Sequence, residues 1–155
     1  MNNNSSTITV QHKLGQGKFS VYYIDCPANN TGYALKIFPK QTPNGTLQYH
    51  KERVVARLDH PNIIQYVHIQ CNTPDFDGLV TEYAPFGDLF EWMLSGYMEN
   101  EMIIRSYFHQ MIEAVEYLHG QSIAHLDLKL ENMMIGNDFN IFYGECPRDR
   151  GRENP

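Results

Sequence analysis

From Ile8 to Phe38 the chain alternates short apolar runs with clusters of turn-forming residues. Thr9–Leu14, Val21–Asp25 and Gly32–Phe38 are rich in β-branched and aromatic residues, and this pattern predicts three strands. Gly15-Gln-Gly17 and Pro27-Ala-Asn-Asn-Thr-Gly32 supply the turns between them. Pro39–Gly45 interrupts the pattern. Leu47–Leu58 then puts Leu47, Val54, Val55 and Leu58 near one face, which predicts a short helix. His60-Pro61-Asn62 ends it, and Ile63–Gln70 and Leu79–Tyr83 read as two more strands. Five strands and one helix make a small lobe.

The second half of the chain has helical periodicity. Asp88–Leu94 is a short helical segment, and Glu99–His119 is the strongest helix of the sequence. Ile104, Phe108, Met111, Val115 and Leu118 recur at three- and four-residue spacing, and Gly120 suits the position after the helix end. A second row, Ile103, Tyr107, Ala114 and Tyr117, widens the apolar face. A helix this apolar is normally covered on several sides.

Composition narrows the class without naming a chemistry. The 155 residues are of ordinary one-domain length, with 42 % hydrophobic and 19 % charged residues. The net charge is −6 and the Lys and Arg residues are dispersed. This argues against a nucleic-acid partner and against an anionic membrane surface. No run approaches the roughly 18 apolar residues of a membrane span. The first seven residues lack the basic start and apolar run of a signal peptide and are expected to be disordered, as is the polar stretch 146–155. Cys26, Cys71 and Cys146 have no metal-ligand spacing, which points to free thiols in a reducing cytoplasm.

Two segments carry candidate chemistry. Gly15-Gln-Gly17-Lys-Phe-Ser20-Val-Tyr22 joins two strands. Glycines there let the backbone pass close to phosphates and aim N–H groups at them, although Gly-x-Gly is also plain hairpin chemistry. Tyr33-Ala34-Leu35-Lys36-Ile37-Phe38 is an apolar strand with one lysine, either an edge lysine turned to solvent or a buried cation with a purpose.

Residues 125–132 read His-Leu-Asp-Leu-Lys-Leu-Glu-Asn. This resembles the catalytic loop of protein kinases, in which the Asp takes the proton of the substrate hydroxyl and the Asn holds a magnesium ion. Tyr107-Phe108-x-Gln110 and Tyr117-Leu118-His119 lead into it as they do in that family. The resemblance implies a Ser/Thr protein kinase of α+β fold. A five-stranded antiparallel sheet with one helix forms an N-lobe over residues 8–83. A hinge at 82–88 and an incomplete helical C-lobe at 88–145 follow, with ATP in the cleft between the lobes. It assigns Asp127 and Lys129 to catalysis and Asn132 to Mg²⁺. It assigns Leu14, Gly15, Gly17, Ser20, Tyr22, Ala34, Lys36, Thr81, Glu82, Ala84 and Asp88 to the nucleotide. Lys36 would neutralise phosphates, Thr81 would be the gatekeeper, and Asp88 would bond the ribose.

The sequence departs from the family pattern at several places. Ser20 replaces the third glycine, Tyr22 the usual valine, and Leu126 the arginine that grips a phosphorylated activation loop. Lys51 stands in the register of the glutamate that pairs with the strand lysine, and Glu52 stands one residue later, about 100° around a helix. Either the helix is shifted so that Glu52 reaches Lys36, or the ion pair is missing. Glu145 occupies the register of the Asp-Phe-Gly aspartate, either as a substitute ligand or as a solvated carboxylate, and the sequence reads as truncated there. Three functions follow from the resemblance. The chain is a kinase impaired by truncation, a nucleotide-binding pseudokinase that docks a partner protein on its exposed helix, or a gene fragment.

Overall fold

The computed structural model describes residues 9–16, 19–26, 30–96 and 98–144. The expectations for residues 1–7, Gly17, Glu145 and 146–155 lie outside the described residues. Strands β1 (Thr9–Gln16), β2 (Ser20–Cys26), β3 (Thr31–Pro39), β4 (Tyr66–Asn72) and β5 (Phe76–Glu82) form one antiparallel sheet in the order β1-β2-β3-β5-β4. This is the α+β, five-stranded arrangement that the sequence pattern predicts. The β-strand period of two sends alternate residues of β3 to opposite faces. Leu35 packs with Ile24 and Val80. Phe38 packs with Phe19 and Tyr49.

Tyr49 belongs to helix α1 (Pro43–Val55), which begins four residues before the predicted Leu47. Its start has a physical cause. The Thr42 hydroxyl oxygen accepts the Gly45 N–H at 3.1 Å, and proline occupies the first turn, where its missing N–H costs nothing. The expected apolar face is corrected as well. Leu47 and Val54 are exposed, and the buried positions are Gly45 and Tyr49. One aromatic ring against Phe38, at 5.7 Å between centroids, sets which way the helix faces. Two aliphatic side chains on the other side do not override it.

The chain divides into two compact units. Among the described residues, one takes those up to Arg57 together with Tyr66–Tyr83; the other takes Leu58–Gln65 and residues 84–144. The second unit holds α2 (Leu89–Leu94), α3 (Glu101–Gly120), a 3-10 turn (Leu130–Asn132) and a hairpin of β6 (Met133–Ile135) with β7 (Ile141–Tyr143). The sequence pattern did not predict the hairpin, because three residues are too few to show a period. Buried Asn62 holds this unit together. Its Nδ2 donates to Ile141 O at 2.7 Å and to Gln110 Oε1 at 3.0 Å, and the same Gln110 oxygen accepts the Ile141 N–H.

Asn100 caps the start of helix α3, its side chain accepting the Met102 N–H at 2.8 Å. The helix includes Gly120, which was expected just past the end. The Gln121 N–H reaches back to the carbonyls of Tyr117 and Leu118. Of its two apolar rows, Tyr107, Ala114 and Leu118 are buried. Ile104, Phe108 and Ile112, one turn apart on the other side, are exposed.

Candidate active site

Two clusters of polar side chains stand out, one in each unit. In the first, Lys36 projects from the middle of β3, opposite Leu79 of β5 and Val21 of β2. Its Nζ lies 2.7 Å from Glu52 Oε1 of α1, and both side chains are nearly buried, at 12 % and 13 % exposure. Gln48, one turn earlier on α1, donates to the same carboxylate oxygen at 3.2 Å. The rings of Phe38 and Phe19 lie 5.4 and 5.8 Å from the ammonium. A charge taken this far out of water is tolerated only when it is paired and hydrogen-bonded. The question left open by the sequence is thereby answered. Glu52 pairs with Lys36, while Lys51, 100° around the helix, is exposed. Sequence reasoning missed Gln48 and the two rings. The i, i+4 relation of Gln48 to Glu52 was the available signal.

The other residues assigned to the nucleotide in this unit fall on neighbouring strands. Gly15 is buried and Leu14 half-buried on β1. Ser20 pairs with Ile37, Tyr22 with Leu35, and Ala34 with Thr81, which is itself buried. Tyr22 is half-buried, and Glu82 closes β5 opposite Tyr33. Ala84 and Asp88 belong to the second unit. Ala84 is buried against Met134 and Phe142. Asp88 is 1 % exposed and accepts the Glu91 N–H at 2.9 Å, so the structure gives this carboxylate the role of N-cap for α2.

The second cluster is the loop leading into the 3-10 turn. Asp127 Oδ2 accepts hydrogen bonds from Lys129 Nζ at 2.7 Å and from Asn132 Nδ2 at 2.9 Å. Asn132 Nδ2 also donates to Asp127 O, and the Asp127 N–H donates to His125 Nδ1. Leu126 lies in the left-handed region at φ +62 and is 92 % exposed. A non-glycine residue held there costs about 1–2 kcal/mol, a strain the neighbouring hydrogen bonds have to offset. The Lys129 and Asn132 hydrogen bonds, in that order, hold the Asp127 carboxyl below the usual carboxylate range. It is therefore ionised at neutral pH, as a proton acceptor must be. A depressed carboxyl stabilises the loop fully above its unfolded value of about 3.9 and loses that contribution as pH falls through its folded value. Lys129→Met is expected to move the Asp127 titration upward, read by carboxyl ¹³C NMR. An unmoved titration would mean that the ammonium contributes nothing.

Asn132 is 7 % exposed, and its Nδ2 is committed to Asp127. Its Oδ1 accepts no hydrogen bond among the described residues. A buried amide oxygen left in this way suits a hard cation such as Mg²⁺, which takes oxygen ligands.

The protein kinase domain model matches residues 8–142. The chain is 33 % identical to serine/threonine-protein kinase SIK1 of Mus musculus over 136 residues, which cover 85 % of this chain. This chain is a member of the eukaryotic Ser/Thr protein kinase family. Other relatives of this kinase chain agree. It is 34 % identical to the maternal embryonic leucine zipper kinase of Xenopus tropicalis over 123 residues, 76 % of this chain. It is 37 % identical to the negative regulator of sexual conjugation and meiosis of Schizosaccharomyces pombe over 137 residues, 84 % of this chain. The matched segments cover 17 %, 19 % and 29 % of those three proteins, so the kinase chain spans less than a third of each. The family generally uses ATP and Mg²⁺. Among the described residues no helix is long and apolar enough to cross a membrane.

Proposed function

We propose that this chain binds ATP through Lys36 and transfers its γ-phosphoryl to Ser or Thr hydroxyls of a protein, with Asp127 as proton acceptor. The observation that carries the reading is the 2.7 Å Lys36–Glu52 ion pair. Its register was the doubtful one in the sequence, and family catalysis needs this pair in place. The backbone of β1 and β2 around Gly15 and Ser20 lines the triphosphate in this reading. Lys36 supplies charge to it and Glu52 fixes where that charge stands. Asp127 takes the hydroxyl proton while Lys129 steadies the transferring group. Asn132 Oδ1 would hold Mg²⁺, and the ion would supply charge neutralisation at the phosphates. The reading also gives α3 a protein partner, because Ile104, Phe108 and Ile112 leave an apolar row in water.

Calorimetric titration of an ATP analogue into the chain and into Lys36→Met tests the nucleotide half. Loss of a charge-assisted contact should weaken binding roughly tenfold to a hundredfold. Equal affinity would remove Lys36 from the phosphate site.

A further inference from the structure

Asn44-Gly45 is the single Asn-Gly dipeptide of the 155 residues. Asparagine before glycine is the pair most prone to close a ring on itself, because glycine has no side chain to screen its own nitrogen. Here the pair sits in the first turn of α1, with Asn44 exposed and Gly45 buried. Packing demands the glycine. A Cβ at that position would overlap the carbonyl oxygen of Pro39 and lie 2.9 Å from Thr42 Oγ1. The fold therefore keeps a labile dipeptide, and the same close packing guards it. The Gly45 N–H donates to Thr42 Oγ1 at 3.1 Å and to Thr42 O at 3.0 Å. The Thr42 hydroxyl in turn donates to Pro39 O at 3.2 Å, which fixes that acceptor in place.

We infer that Asn44 is a site of succinimide-forming deamidation, reactive only when the Thr42 cap lets go. In the open turn the Gly45 nitrogen loses its proton to hydroxide and attacks Asn44 Cγ. A bond forms between them, the Cγ–Nδ2 bond breaks, and Nδ2 takes a proton from water and leaves as ammonia. Water then adds to either carbonyl of the ring. One opening gives aspartate and the other isoaspartate, whose main chain runs through the former side chain. One water enters and one ammonia leaves, with no oxidant or reductant. The closed turn blocks ring closure in two ways. The Gly45 proton is shared between two acceptors, and the helical backbone holds ψ of Asn44 at about −42°, which keeps the nitrogen away from Cγ. The two products act oppositely on α1. Its first turn contains no acidic residue, so aspartate there meets the positive end of the helix and supports it. Isoaspartate lengthens the backbone by one carbon and breaks the repeat of the first turn. That damage falls on the helix that carries Glu52, the partner of Lys36.

The test follows the chain with time in mildly alkaline buffer by mass-spectrometric peptide mapping, with isoaspartate counted by enzymatic carboxyl methylation. In urea, Asn44 is expected to convert ahead of every other asparagine. In the folded chain its conversion should be suppressed, and Gly45 amide exchange should be slowed by a similar factor, since one local opening gates both. Thr42→Ala should speed conversion roughly two- to thirtyfold, the change in opening that loss of a cap brings. Thr42→Ser, which keeps the acceptor, should leave the rate as it was. Asn44→Asp should unfold no more easily than the unsubstituted chain, while aged chain rich in isoaspartate should lose helical circular dichroism.

Conversion of the folded chain at the urea rate would overturn the proposal. So would an unchanged rate in Thr42→Ala once its Gly45 exchange has accelerated, or another asparagine converting first in urea. Where circular dichroism shows Thr42→Ala unfolded, the unsubstituted chain decides. Similar suppression of exchange and ring closure upholds the gate, and unequal suppression removes it.

Discussion

Asp127→Ala is expected to lower phosphoryl transfer by roughly a hundredfold to ten-thousandfold, the range that a positioned general base contributes. The carboxylate is the point on which the loop converges. Lys129 and Asn132 both donate to its Oδ2, and alanine leaves both donors without an acceptor. Asp127→Asn separates geometry from chemistry. The amide oxygen still accepts the Lys129 hydrogen bond, yet the amide takes up no proton at neutral pH, so turnover should fall nearly as far. The assay is radiolabelled ATP with generic Ser/Thr protein substrates. Turnover close to that of the unsubstituted chain in both variants would exclude Asp127 as the base. Nucleotide binding with no turnover in the unsubstituted chain would make it a nucleotide-binding module instead of an enzyme.

Phe38→Ala is expected to cost about 3–5 kcal/mol, the range for emptying a large aromatic from a core. Phe38 is fully buried, with the rings of Phe19 and Tyr49 at 4.9 and 5.7 Å and the Lys36 ammonium at 5.4 Å. Removing it takes the seat from under α1 and one aromatic wall from Lys36. Whole domains are stable by only about 5–15 kcal/mol, so the loss is a large share of what holds this unit. Urea unfolding followed by far-UV circular dichroism reads the cost. A loss under about 1 kcal/mol, the size of an ordinary surface change, would show that Tyr49 and Phe19 are not organised by this ring.

The sheet was legible because its signals are local. Runs of β-branched and aromatic residues sit between Gly-, Pro- and Asn-rich turns, and all five strands fall within a few residues of the pattern. The start of α1 was written in Thr42-Pro43, a cap and first-turn pair, but the surrounding Pro39–Gly45 stretch reads as a break. Which face of α1 is buried was not legible. That outcome depends on Phe38 waiting on a strand, a contact that no one-dimensional period contains. The same holds for Asn62, whose partners lie 48 and 79 residues away in sequence. At the site, family resemblance located Asp127, Lys129 and Asn132, but the fan of hydrogen bonds onto one carboxylate oxygen is a matter of geometry. The capping role of Asp88 was visible as an acid three residues before Glu91, ahead of an apolar run.

The membership of Leu58–Gln65 has a consequence for synthesis. The chain passes from one unit to the other at Arg57, back at Tyr66, and over again after Tyr83. Neither unit is therefore a continuous stretch of gene, and no single protease cut or split of the coding sequence yields either one whole. Emerging from a ribosome, the sheet receives its last strand at Glu82. The carbonyl that anchors Asn62 arrives 79 residues after Asn62 itself. At about 5–20 residues per second that interval is roughly 4–16 s. Between Glu82 and Ile141, roughly 3–12 s of that interval, the nascent sheet carries an octapeptide loop whose Asn62 amide still lacks this anchor, a ready handle for a chaperone and an easy target for a peptidase.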